Sequence, residues 1–174
     1  MNIVKPGAHM DHMLRTTRLH HVQLSNMADV KANMMLTISS VLITLSVPYT
    51  MKPELKWAAL ILIAFCFSTI ILAAYAVMPK LPFSIKSGPR PDITDPFFNI
   101  LFFGDFVRLE YNEYEEAMED VLNGHTLTYR AQVRELYTLG TFLATKKYRF
   151  VRLAYMSFIS GLFASGSVLV LISQ

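Results

Sequence analysis

One cysteine in 174 residues, Cys66, removes a disulfide framework and a thiolate metal cluster from consideration. Charge is scarce as well: Asp, Glu, Lys and Arg make up 17% of the chain against 53% hydrophobic residues, and a mean hydropathy of +0.36 is too apolar for an ordinary soluble domain. From three stretches charge is missing altogether, namely 20 residues between Lys31 and Lys52, 23 between Lys56 and Lys80, and the 22 that follow Arg152. Each approaches the ~20 residues that cross the apolar core of a bilayer, and none holds the buried charges a transporter would carry. A Walker loop, a nucleophile elbow and an H-E-x-x-H string are also lacking, so no enzyme is expected. His9, His12, His20 and His21 have no carboxylate or cysteine partners at a metal-binding spacing, so neither a metal nor a cofactor is expected. The first 31 residues contain no apolar core stretch and therefore no cleavable signal pattern. GAHM at 7–10 reads equally as an expression scar or as native chain, and internal repeats and low-complexity tracts are absent.

What the chain does contain reads as an all-α membrane protein with three transmembrane helices at about 33–50, 57–78 and 153–173. The second, WAALILIAFCFSTIILAAYAV, is almost purely apolar and carries Trp57 and Tyr75 near its ends, where amphipathic rings suit the interfaces. The first is the most polar, with Thr37, Ser39, Ser40, Thr44 and Ser46. With the N-terminus inside, 14 of the 16 basic residues are cytoplasmic and only Lys52 and Lys56 lie outside, so the topology is expected to be N-in, C-out.

The rest is expected to be cytoplasmic and helical, one unit with the spans. Residues 10–32 have no Gly or Pro and should form a helix that continues into the first span. Residues 79–125 form a cytoplasmic insert that opens with the Pro-rich loop MPKLPFSIKSGPRPDITDP. Asp95-Pro96 reads as an N-cap and first helical position, followed by a short apolar helix through PFFNILFF that stops near Gly104. A more acidic helix should run over about 106–122 and close at Asn123-Gly124. Residues 126–152 then form a cytoplasmic helix that continues into the third span. The apolar Phe97, Phe98, Ile100, Leu101, Phe102, Phe103 and Phe106 need a partner, and the two projecting helices are the available one.

Several patterns have a structural reading beside a functional one. His21, Ser25, Asp29 and Asn33 recur every four residues as a polar stripe facing an interior, placed to couple a cytoplasmic ligand to the first span. Thr37, Ser40 and Thr44 form a hydroxyl stripe expected to be buried against other helices. Ser157, Gly161 and Ser165 have the small-xxx-small spacing of close helix packing. Lys146, Lys147, Arg149 and Arg152 have the position of snorkelling interface residues, and Glu110, Glu113, Glu115, Glu116, Glu119 and Asp120 that of a solvated helix face.

Three segments carry a resemblance. HVQLSNMADVKANMMLTISSVLI resembles the Asp-x-Lys-Ala approach to the first membrane helix of the Pycsar transmembrane effector family. PFFNILFFGDFVRLEYNEYEEAM and RELYTLGTFLATKKYRFVRLAYMSFISGL resemble its Phe-Phe-Gly segment and its lysine-tyrosine entry to the last membrane helix. The resemblance implies a bacterial inner-membrane antiphage effector. A partner pyrimidine cyclase makes cyclic CMP or cyclic UMP, the effector binds it, and the integrity of the lipid bilayer is lost; because a pore needs more than three helices, a homo-oligomer is expected. No nucleic acid polymer is implied.

Such a ligand needs a cation for its phosphate, amides or carboxylates for sugar and base, and an aromatic or apolar face for the ring. The candidates are Lys31, Arg108, Arg134 and Lys147 for the phosphate, Asp29, Asn33, Asp105 and Asn112 for polar contacts, and Tyr111 for stacking. Other classes open to the same residues are a membrane anchor or assembly protein that binds a protein partner, and an effector gated by another cyclic oligonucleotide.

Overall fold

The computed structural model describes residues 7–78, 95 and 98–172, and every element among them is a helix. Helix α1 runs over Ala8–Ser46, a 3-10 turn over Val47–Met51, and α2 over Lys56–Val77. Short α3 is Phe103–Phe106, α4 is Tyr111–Asn123 and α5 is His125–Phe142. A π-helical segment, Leu143–Tyr148, joins α5 to α6, Arg149–Ile172. Three helices, Ala8–Met51, Lys56–Val77 and His125–Ile172, are long and apolar enough to cross a membrane.

The chain divides into two units, Met1–Val22 with Pro79–Thr141, and Gln23–Met78 with Phe142–Gln174. In the second unit α1 ends where Pro48 enters the first turn of the 3-10 segment and withdraws its N–H from the ladder. Helices α2 and α6 are antiparallel neighbours: Tyr75 packs edge-on against Phe150, Ser157 Oγ reaches Phe65 O at 3.4 Å, and Ser165 Oγ donates to Ala58 O at 2.9 Å. The small-xxx-small residues of the last helix are thus its contact with α2. The core is built from small side chains, Ala28 and Ala32 with Met35 on α1, Ala73 and Ala76 on α2, and Val151 and Ala154 on α6. In a medium as apolar as Leu, close backbone approach replaces the hydrophobic effect as the source of association.

In the first unit the start of α1 lies parallel to α5. Tyr129 donates to Asp11 Oδ1 at 2.6 Å, Arg18 pairs with Glu135 at 2.9 Å, and Gly140 gives the His21 ring room to pack. Burial pushes the Glu135 carboxyl above its usual range, opposed by the Arg18 guanidinium. Tyr129 is likewise held above its usual value, first by its hydrogen bond to Asp11.

Two expected elements differ. The helix expected through PFFNILFF is absent from the residues described there: Phe98–Phe102 form turns, and helix appears only at Phe103–Phe106. Pro96 and Phe97 lie outside the described residues. The acidic helix starts at Tyr111 rather than near 106, because the Glu113 carboxylate accepts the Glu110 N–H at 3.2 Å and fixes the start of the helix there. Its end at Gly124 matches the expected stop, with the Gly124 N–H donating to Asp120 O at 3.2 Å.

The hydroxyl stripe is also not where it was expected. Thr37, Ser40 and Thr44 are exposed in the protomer, and each donates to the carbonyl four residues back, at 2.8–3.1 Å. A hydroxyl satisfied by its own helix needs no neighbour.

A Cβ at Gly161 would collide with Cβ of Phe65, whereas a Cβ at Gly166 meets nothing within 4 Å. Gly161→Ala should therefore cost about 1–3 kcal/mol by overpacking, and Gly166→Ala should be neutral or stabilise by up to about 1 kcal/mol. Thermal unfolding in detergent should show the two substitutions moving Tm apart.

Candidate functional site

Two polar arrangements stand out, one in each unit. The first is a charge cluster made by the π-helical segment. One residue more than α-helical spacing allows re-aims Lys147 and Tyr148 toward α1. Lys147 Nζ donates to both carboxylate oxygens of Asp29 at 2.7 Å and to Ser25 Oγ at 2.8 Å, and Tyr148 OH donates to Leu24 O at 3.0 Å. Lys146, Arg149 and Arg152 remain exposed, as snorkelling residues do, while Lys147 is only 15% exposed.

The polar stripe explains itself by geometry. Steps of four residues advance a helix by about 40° beyond a full turn, so three steps rotate the stripe by about 120°. His21, Ser25 and Asp29 are accordingly part-buried, and Asn33 has turned out to the exposed side.

The second arrangement is built on the turn after Phe98. Arg134 donates from Nη1 to Phe98 O, the Asn99 N–H donates to Asp105 Oδ2 at 3.0 Å, and the Leu101 N–H donates to Asn99 Oδ1 at 3.1 Å. These bonds hold Phe98, Asn99 and Ile100 inward, all buried. Asn99 is 1% exposed, and its Nδ2 has no hydrogen-bond partner among the described residues. A buried donor left in that state costs about 1–3 kcal/mol. Beside it lies a cavity of about 250 Å³, walled by this turn together with α4 and α5 and lined by Arg130, Arg134 and Asp120.

Of the nine residues picked from the sequence, Asp29 and Lys147 meet each other. Asp105 and Arg134 fasten the same turn. Lys31, Asn33, Arg108, Tyr111 and Asn112 are exposed. Asp29, Lys31, Asn33 and Lys147 belong to the second unit and the other five to the first. Sequence reading passed over Asn99 and Arg130. The signal for Asn99 was present, since it is the one polar residue in PFFNILFF.

Three helices long and apolar enough to cross a bilayer mark a multi-pass membrane protein. The chain belongs to the Pycsar effector protein domain family, whose model matches residues 12–173. Membership makes it an effector of a cyclic-pyrimidine-signalled antiphage system. No curated protein and no solved structure matches the chain.

Removing one partner of the Asp29–Lys147 pair strands the other charge at a part-buried site. Asp29→Asn alone should lower stability by about 1–3 kcal/mol, and Lys147→Met added to it should recover most of the loss. A double-mutant cycle on unfolding in detergent measures the coupling.

Proposed function

We propose that the protein binds cyclic CMP or cyclic UMP released by a partner pyrimidine cyclase. On binding it assembles into homo-oligomers that breach the bacterial inner membrane and kill the infected cell. It acts as a receptor and executor, with no catalytic step of its own. The observation that carries this reading is the extent of the family match, 12–173, which takes in all three apolar helices as well as the helices that extend from them.

The basic residues support an N-in, C-out orientation, because that arrangement leaves 14 of 16 on the cytoplasmic side, where the cyclase product is released. Oligomerisation is supported by α1. Three helices enclose no aqueous path, and α1 keeps an exposed face carrying Asn33, Thr37, Ser40 and Thr44 beside Met34 and Ile38. Hydroxyls that bond their own backbone can stand in lipid at modest cost and are free to line water once protomers gather. Coupling is supported by chain continuity, since α1 is unbroken from Ala8 to Ser46. The ligand drives the change only by its differential affinity for the resting and assembled arrangements. The candidates for contact are Asp29, Lys31, Asn33, Asp105, Arg108, Tyr111, Asn112, Arg134 and Lys147. Among them Lys147 is already neutralised by Asp29, so its phosphate role requires the ligand to displace a carboxylate.

Calorimetric titration of the detergent-solubilised protein with cyclic mono- and dinucleotides should give binding for cyclic CMP or cyclic UMP and none for cyclic dinucleotides. Silence across the whole panel would shift the reading to an anchor that binds a protein partner. For orientation, a reporter enzyme active only in the cytoplasm should work when fused at Met1 or inserted at Ser87 and fail at Gln174. Activity at Gln174 would overturn the three-span topology.

A further inference from the structure

We propose that the cavity bounded by the Phe98–Phe102 turn, α4 and α5 is the seat of the cyclic nucleotide, with Asn99 Nδ2 donating to an acceptor on the ligand. The proposal rests on the reading of the chain as a cyclic-pyrimidine effector and adds its address. The amide orientation is fixed by the Leu101 N–H, which takes Asn99 Oδ1 at 3.1 Å and leaves the NH₂ as the group without a partner. A side chain 1% exposed on the wall of a cavity, its donor unmatched among the described residues, is a group that an incoming acceptor would satisfy once a small side-chain shift opens it to the cavity.

The remaining lining matches the parts of a 3′,5′-cyclic mononucleotide. Arg130 is exposed at the mouth and is the cation for the single phosphate charge. Arg134 donates one N–H to Phe98 O, and that bond holds the turn carrying Asn99 as a positioning contact. Asp120, exposed at the rim, is an acceptor for the ribose 2′-hydroxyl, the one sugar donor that cyclisation leaves free. Ile100, Val121 and Leu127 give apolar faces for a ring. The cavity, about 250 Å³, lies just under the roughly 300–1,000 Å³ of small-molecule sites and is nearer in size to a mononucleotide than to a cyclic oligonucleotide. Lys147, by contrast, is occupied by Asp29, which argues for the cavity over the charge cluster as the place of first binding.

The test titrates full-length protein in detergent with cyclic CMP, cyclic UMP and inorganic phosphate, for the parent and for Asn99→Asp and Arg130→Gln. Asn99→Asp replaces the donor by a charged acceptor of nearly the same volume, and Arg130→Gln removes the charge at an exposed position. Each should weaken nucleotide binding by about tenfold or more, as the loss of a hydrogen bond to a charged group or the addition of a repulsion implies. Circular dichroism and Tm report folding, and if Asn99→Asp unfolds, Arg130→Gln decides alone. Parent-like affinity in the folded variants would place the site elsewhere and overturn the proposal while leaving the effector reading intact. A parent protein that binds neither nucleotide would overturn both. Phosphate binding as tight as nucleotide binding would also overturn the proposal, since it would mark a generic anion site.

Discussion

The Lys147 ammonium, clamped by both oxygens of Asp29 and by the Ser25 hydroxyl, is the interaction on which the arrangement of the spanning unit depends. A lysine aimed into a helix interface has to be neutralised there, since a lone buried charge is far costlier than a paired one. The chain meets that demand by deforming its own backbone, inserting a π-helical turn over Leu143–Tyr148 so that Lys147 and Tyr148 both reach α1. Beside the core of Ala28, Ala32, Met35, Val151 and Ala154, this pair adds a directional contact between α1 and the last helix. Tyr148, anchored to Leu24 O, packs against the same core.

Above that clamp six hydroxyls of the spans bond in one of two ways. Thr37, Ser40, Thr44 and Thr69 donate to their own helices, while Ser157 and Ser165 donate across to carbonyls of α2. The first kind leaves a helix free to change neighbours without orphaning a donor, and the second ties α6 to α2. Gly161, pressed on Phe65, adds to the tie. The α2–α6 pair is thus tied by hydrogen bonds and close contact, while the exposed hydroxyls of α1 are satisfied within their own helix.

Much of this was legible in composition and spacing. Charge-free runs of bilayer length have no cheaper explanation than apolar helices, and the small residues at 157, 161 and 165 foretold a close helix contact. The missed features are those decided by distant residues. The π-helical turn answers to Asp29, 118 positions away, and leaves no local signal in LATKKY. PFFNILFF has the look of a short helix, but the Phe98 carbonyl and the Asn99 N–H are claimed by Arg134 and Asp105, so tertiary hydrogen bonds override local propensity. The four-residue polar stripe misled at Asn33 because a period of 4 drifts off a helix of 3.6. The cavity with its unmatched Asn99 donor emerges only once the turn, α4 and α5 are assembled.

The central claim is that a small cyclic nucleotide opens a membrane through this chain alone. Dye release from vesicles reconstituted with the full-length protein, with cyclic CMP or cyclic UMP supplied on both faces, tests it most directly. Release should begin on nucleotide addition and rise more steeply than linearly with protein density, as assembly requires. Vesicles that stay sealed while the same protein binds the nucleotide would contradict the account.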